Sequence, residues 1–438
     1  MRYLLMPVTL FVRHFPQLVA CYLLGYLGRT AAIEWAAWAG YDNDLWASLI
    51  MPLAGMARLG SYVGMFLVLR SGIPALAALP PRPSRQIDVF ATIIVPFFAI
   101  YLAWQMFRED WLSFEYRGLY YKLGAMSPSS GPVELHPELL PVGTVTIVII
   151  VAALVARFLF GRLKDKMPAW LLPVRVYLDT LWVFLVLTFS ASHGVTFLIN
   201  PSAWVSERRI IVWFNDTREG VFSHFHPLEA AWDGAMWALR TVFGGAAVPL
   251  IWLAVACIVY GATVKPDWHA AARRVGGDRI GRWLERSETA RTQLSSGWKR
   301  VPGKVRTEVR EQITGQLGKF KPITDSAHVI AAGGIFAVSL YVLAYLSLAW
   351  LDMSGSFFRA QLGSGYLLRG MAWLLGPHDI TFWYGTWDLL ALISHSIIEP
   401  LRICLIATTL AWCLDRSAAA TAARPTAEAE AESRNPVS

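Results

Sequence analysis

The stretch Asp388-Leu-Leu-Ala-Leu-Ile-Ser-His-Ser-Ile-Ile-Glu-Pro-Leu-Arg402 decides how the whole chain is interpreted. It opens a long apolar segment that is typical of a membrane-spanning helix, yet it carries Asp388, His395, Glu399 and Arg402. At about 100° per residue, these four side chains lie within about 60° of one another on a helix. Because ionisable groups inside a bilayer are costly, they normally face other helices or a wet cavity, where they mark a pathway or a structural ion pair.

The composition places the chain among polytopic α-helical membrane proteins. Of its 438 residues, 55% are hydrophobic and 16% are charged, and several apolar runs reach the ~20 residues that a helix needs to cross a bilayer. The formal net charge is +8, but the excess Lys and Arg lies in a few loops, so no nucleic-acid partner is expected. The predicted fold class is all-α, a membrane helical bundle with about eight transmembrane helices plus interfacial amphipathic helices.

Apolar segments of spanning length recur along the chain and define its predicted organisation. The predicted spans cover roughly 15–38, 46–70, 88–108, 141–163, 175–199, 236–263, 327–351 and 387–414. The chain is accordingly divided into an interfacial lead-in (1–14), the first six helices with their extracytoplasmic loops (15–263), a basic amphipathic cytoplasmic segment (264–326), the last two helices (327–414) and a disordered, low-complexity tail (415–438).

Basic loops alternate with acidic or mixed loops, and this alternation predicts the topology. One basic loop contains Arg70, Arg82 and Arg85, a second contains Arg162 and Lys164, and the longest is the 264–326 segment. Loops rich in Lys and Arg remain in the cytoplasm. We therefore expect a multi-pass protein of the plasma (inner) membrane with both termini cytoplasmic.

The 280–320 region combines basic residues with apolar residues at helical spacing, such as Val305, Val309 and Ile313. Amphipathic basic helices of this kind bind anionic lipids of the inner leaflet. A solvated helical hairpin, or a docking surface for protein partners in a membrane complex, fits the same charge pattern. Membrane lipids and protein partners are therefore the two classes of partner expected.

The predicted fifth span carries a second polar stripe. Arg175 and Asp179 are spaced for an ion pair on one helix face, while His193 is expected near the outer surface at a depth similar to that of His395. Two histidines on different helices are a poor metal signature, so neither a metal ion nor another cofactor is predicted.

Two interpretations of these charged residues remain open. In the first, Glu399 pairs with Arg402, Arg175 pairs with Asp179, and other arginines find carboxylates elsewhere, so that the pairs fix how the helices pack. In the second, the stripe lines an aqueous path for a solute, a proton or a lipid headgroup, and Glu399 or His395 titrates. The further candidates for structural ion pairs are Arg29, Glu34, Arg58, Asp233 and Arg240.

Three functions follow from these alternatives. The first is a transport-type permease, or the membrane subunit of a translocation system, with a polar seam formed by the fifth and eighth spans. The second is a non-catalytic accessory or scaffold subunit of a membrane complex. The third is an enzyme acting on lipid-linked substrates at the outer leaflet, with His193, His395 and the outer carboxylates as its candidates. The sequence contains no P-loop, no His-Glu-x-x-His and no Gly-x-Ser-x-Gly motif, so a catalytic role has the least support.

Overall fold

A computed structural model of the chain describes residues 2–40, 44–79, 93, 97, 106–125, 144–162, 171–192, 246, 248–262, 326–327, 329–331, 333–352 and 365–422. Within these ranges every regular element is a helix and no strand occurs. We number the helices α1 (Arg2–Gly40), α2 (Asp44–Arg70), α3 (Pro74–Ala77), α4 (Met106–Ala125), α5 (Thr144–Arg162), α6 (Leu172–Ser192), α7 (Val248–Tyr260), α8 (Ile335–Leu351), α9 (Tyr366–Leu375) and α10 (Ile380–Ala422).

Three of the described helices are long and apolar enough to cross a membrane. They cover Leu5–Gly40, Leu45–Arg70 and Gly385–Ala419. Two shorter apolar helices, α7 and α8, lie within the predicted sixth and seventh spans, and α5 and α6 overlap the fourth and fifth. Most of the predicted third span lies outside the described residues. The all-helical class is therefore confirmed, whereas the full set of eight spans is not.

Helices α1 and α2 form an antiparallel hairpin held together by small residues. A Cβ placed at Gly25 would lie 2.3 Å from Cβ of Ser61, and one placed at Gly40 would lie 2.7 Å from Cβ of Ala47. No side chain fits at such distances, so glycine is what allows the two backbones to approach closely. This is the packing that small residues provide between helices in membranes, where van der Waals contact replaces the hydrophobic driving force.

Helix α1 bends at His14, where φ and ψ are −110° and 15°. The bend lies within one turn before Pro16, which lacks an N–H for the helical ladder and whose ring crowds the preceding turn. It falls at the boundary that the sequence predicts between the lead-in and the first span.

Helix α10 contains 43 residues and is therefore about 65 Å long, well beyond the ~30 Å of a bilayer core. It packs against α1 and α8 and also contacts α2. The helix continues past residue 414 to Ala422, into the segment predicted to be disordered, because the alanines that follow Arg416 are the strongest helix formers. Residues 423–438 and the basic 264–325 region, including the predicted lipid-binding range 280–320, lie outside the described residues.

Candidate functional site

A polar cavity of about 220 Å³ lies among α1, α2, α4 and α10, next to the residue that caps the C-terminal end of α8. Its volume far exceeds the ~10–15 Å³ that one water molecule requires. Both cationic and anionic side chains contribute to the lining, together with phenols and hydroxyls. The lining residues are Tyr22, Gly25, Tyr26, Arg29, Arg58, Ser61, Tyr62, Met106, Glu109, Ser113, Asp352, Asp388, Ala391, Leu392, His395 and Glu399.

The polar stripe of α10 becomes steadily more buried along the cavity. Asp388 is exposed, the His395 side chain is 27% exposed, that of Glu399 is 9% exposed and that of Arg402 is 2% exposed. The distance along the axis from Asp388 to Glu399 is about 16 Å at 1.5 Å per residue. The cavity is thus open at its Asp388 end and closed at Arg402.

The closed end is a buried cluster centred on Arg402. Its Nη1 donates a 2.6 Å hydrogen bond to Oε1 of Glu399, the same partner that the one-turn spacing predicts. Its Nη2 lies 3.9 Å from Oδ2 of Asp352, and the guanidinium carbon is 5.2 Å from the centre of the Tyr345 ring. Two carboxylates and an aromatic face therefore compensate a charge that burial would otherwise make very costly.

Asp352 joins α8 to α10. Its Oδ1 accepts a 2.9 Å hydrogen bond from Oγ of Ser394 and lies 3.3 Å from Nε2 of His395. Sequence reasoning missed this residue because it stands where an outer loop is expected to begin. The one signal in the sequence was its position as the first charged residue after the apolar run of α8, and that position does not reveal which way the side chain turns.

Asp110 plays the corresponding role between α1, α2 and α4. It accepts hydrogen bonds from Nε of Arg29 at 2.5 Å and from Nη2 of Arg58 at 3.1 Å, and its side chain is fully buried. Oε2 of Glu109 lies 3.5 Å from the same Arg58 nitrogen. The sequence predicts that Arg29 and Arg58 pair with carboxylates but does not identify those carboxylates.

A second contact between α1 and α4 involves Glu34, another of the predicted ion-pair residues. Glu34 pairs with Arg117 and accepts a 2.6 Å hydrogen bond from the Tyr121 hydroxyl. This hydrogen bond raises the pKa of Tyr121, because a phenolate at that position would face a carboxylate. Since the side chains of Glu34 and Arg117 are 44% and 34% exposed, water screens the pair, which orients α4 more than it stabilises the fold.

The remaining predicted residues lie away from this cavity or outside the described ranges. Arg175 and Asp179 are on α6, which packs against α2 and α5, and neither lines the cavity. His193, Asp233 and Arg240 lie outside the described residues. The seam between the fifth and eighth spans therefore stays a prediction. The described helices around the α10 stripe are α1, α2 and α8, and α4 lines the same cavity.

Several lining residues carry no sequence signal because they resemble ordinary core positions. Tyr22, Tyr26 and Tyr62 lie within apolar helices, where tyrosine is a common residue. Ser61 is 8% exposed, and its Oγ has no hydrogen-bond partner among the described residues. A buried hydroxyl without a hydrogen-bond partner costs free energy of folding.

The lining of the cavity combines hydrogen-bond donors, acceptors and one titratable imidazole. It offers donors from arginine, tyrosine and serine, acceptors from carboxylates, and one histidine that changes charge near neutral pH when unperturbed. Across the part of the chain that the structure describes, no group of three or more His, Cys, Asp or Glu residues is arranged to hold a metal ion.

Comparisons with protein-family models, with curated proteins and with solved structures find no match to this chain.

Proposed function

We propose that the chain is a transport-type integral membrane protein and that the cavity among α1, α2, α4 and α10 admits a small polar solute from one side of the membrane. The single observation behind this proposal is the graded burial from exposed Asp388 through His395 and Glu399 to closed Arg402. A row of ionisable groups in an apolar helix is typical of a solute or proton path.

A cavity with one open end has the shape expected of one conformational state of a permease. In such proteins a binding site near the bilayer midplane is exposed alternately to the two sides as helices rock against one another. Arg402 and its partners would then form the closed gate of this state. A second state would open the opposite end of α10, beyond Arg402.

The open end faces the extracytoplasmic side in the proposed topology. The basic loops predict cytoplasmic termini and a location in the plasma (inner) membrane, and in that orientation Asp388 lies at the outer end of α10. Reporter fusions test the arrangement: those at Pro128 and Ser356 are expected outside, and one at Gly297 inside.

Cysteine accessibility in sealed vesicles tests the cavity directly. In a variant lacking the native cysteines, Ala391→Cys places a thiol in the cavity lining, and a charged, membrane-impermeant thiol reagent added from the open side is expected to modify it. Ile397→Cys is the matched control, because Ile397 is on α10, is exposed and does not line the cavity. It is expected to face hydrocarbon and to stay unmodified.

Transport requires a second conformational state that opens beyond Arg402, and the reactivity of the thiol in Ile406→Cys detects that state. Ile406 is fully buried and lies about one turn beyond Arg402 on the same helix face. A permease is expected to expose this thiol to reagent added from the opposite side. Protection of Ala391→Cys and Ile406→Cys from both sides would contradict the proposal.

A second candidate is the accessory or scaffold subunit, which the ion pairs favour. Three arginines contact carboxylates of other elements, namely Arg29, Arg58 and Arg402. Such contacts are also expected of a rigid polar joint between helices. A rigid joint leaves the cavity open at its Asp388 end but predicts that Ile406→Cys stays protected from both sides, because no second state exposes it. The two functions thus give opposite results in the same experiment.

A further inference from the structure

We infer that His395 binds the proton that drives the proposed transport, and that Asp352 links this proton to the closed end of the cavity. The inference rests on the transport proposal for its biological meaning and deepens it by naming the proton as the coupling ion. Three observations carry it: the place of His395 in the cavity wall, its contact with a buried carboxylate, and the contact of that carboxylate with Arg402.

His395 lies between the open cavity and a buried anion. Its side chain lines the cavity and is 27% exposed, while its Nε2 lies 3.3 Å from Oδ1 of Asp352, whose side chain is 2% exposed. A neutral imidazole that donates its Nε2–H to this carboxylate keeps Nδ1 as its acceptor nitrogen. A hydronium ion that enters the cavity transfers its proton to the Nδ1 lone pair and leaves as water, and the ring becomes a cation beside Asp352.

Asp352 transmits this change of charge to the closed end. The same carboxylate accepts the hydrogen bond of Ser394, and its Oδ2 lies 3.9 Å from Nη2 of Arg402. Glu399 also contacts that arginine, so two carboxylates face one buried guanidinium group. A positive charge on His395 adds an attraction between α10 and the residue that caps α8. We therefore expect the protonated form to keep the cavity closed at Arg402 and the neutral form to favour opening there.

The other charged and titratable groups around His395 come from every long helix beside it. The charged ones are Asp388 and Glu399 on α10, Arg29 on α1, Arg58 on α2, Glu109 on α4 and Asp352 at the end of α8. The phenols are Tyr22, Tyr26 and Tyr62, which line the cavity, and Tyr345, which faces Arg402.

His395 differs from these neighbours in its chemistry. Both Arg29 and Arg58 contact carboxylates of α4, and the short helix α3, which also contacts α10, carries no titratable side chain. Among the described lining residues, His395 is the one whose unperturbed charge change falls between about pH 5 and pH 8. It is therefore the group best suited to take up and release a proton on each cycle.

Histidine NMR measures the proton directly. The full chain is purified in mild detergent with isotope-labelled histidine, and the resonance of His395 is identified by its loss in His395→Gln. We expect this resonance to shift with pH between about 5 and 9, as it does for a ring that exchanges protons with water. A resonance that keeps one position over that range would overturn the inference.

Thiol accessibility measures the link to the closed end. In sealed vesicles and without the native cysteines, the modification rate of Ile406→Cys from the side opposite to Asp388 is divided by the rate for Ile406→Cys/His395→Gln at the same pH. This ratio cancels the pH dependence of the thiol itself. We expect it to fall about fivefold or more from about pH 9 to about pH 5, because the protonated histidine holds the cavity closed and glutamine does not.

His378→Gln is the matched control. His378 is an exposed histidine just before α10 that does not line the cavity, so the corresponding ratio for this variant should be the same at both pH values. Where His395→Gln does not fold, His395→Asn takes its place in both measurements.

Failure of the inference is distinguishable from failure of the transport proposal. If Ile406→Cys is exposed but the ratio for His395→Gln does not change with pH, transport stands and His395 is not its proton site. If Ile406→Cys is protected at every pH in both backgrounds, transport fails. A His395 resonance that still titrates would then show a histidine that binds a proton without driving any movement.

Discussion

Oδ1 of Asp352 lies 3.3 Å from Nε2 of His395, which places the residue that follows α8 against the middle of α10. The same oxygen accepts the Ser394 hydrogen bond, and the second carboxylate oxygen faces Arg402 at 3.9 Å. One buried carboxylate thus connects the partly exposed histidine of the cavity with the arginine at its closed end. Any movement of α8 relative to α10 must change these contacts together.

Replacing Asp352 is expected to be strongly destabilising. Asp352→Ala removes one of two carboxylates beside a buried arginine, and breaking such a pair typically costs about 3–5 kcal/mol. Ser394→Ala deletes only one hydrogen bond to the same carboxylate and should cost about 1 kcal/mol. Unfolding of the detergent-purified variants measures both values, and equal losses would show that the charge of Asp352 is unimportant.

The Glu399–Arg402 pair is expected to show strong coupling. Arg402→Met leaves Glu399 buried without its 2.6 Å partner, so we expect a loss of about 3–5 kcal/mol in the free energy of unfolding. The double variant Glu399→Gln/Arg402→Met should lose less than the sum of the two single variants, with a coupling of about 0.5–3 kcal/mol. Simple additivity in this double-mutant cycle would contradict a direct interaction.

Substitutions at two adjacent acidic residues on α4 are expected to lower the free energy of unfolding by very different amounts. Asp110→Ala leaves Arg29 and Arg58 without their shared, fully buried carboxylate and should cost about 3 kcal/mol or more. Glu109→Gln alters a half-exposed residue 3.5 Å from Arg58 and should cost less than about 1 kcal/mol. Chemical denaturation compares them, and a larger effect at Glu109 would mean that the α1–α2–α4 junction is misassigned.

The α1–α2 contact makes a steric prediction. Gly25→Ala would place a Cβ 2.3 Å from that of Ser61, so the hairpin must separate and we expect a loss of about 1–3 kcal/mol, as for overpacking in a dense core. Gly118→Ala on α4 is the control, because a Cβ added there meets no atom of the described residues within 4 Å and alanine favours a helix by about 0.5–1 kcal/mol over glycine. The unfolding temperature should therefore fall for Gly25→Ala and rise for Gly118→Ala.

Contacts within one helix could be predicted from the sequence, and contacts between helices could not. Glu399 and Arg402 are three residues apart, so helical periodicity alone places them together. Asp110 is 81 residues from Arg29, and Asp352 is 42 residues from Ser394. No local pattern encodes pairings of that separation, since Asp110 and Asp352 look from the sequence like ordinary charges beside an apolar segment.

The sequence by itself determined the all-helical class and the apolar segments of α1, α2 and α10. It also determined that four polar side chains share one face of α10, namely Asp388, His395, Glu399 and Arg402. These properties depend only on composition and on the 3.6-residue period. The tertiary structure decided which helices meet that face. Close backbone approach at glycines and the compensation of buried charges by distant partners bring α1, α2, α4 and α8 around it. Both depend on three-dimensional packing that a linear pattern does not contain.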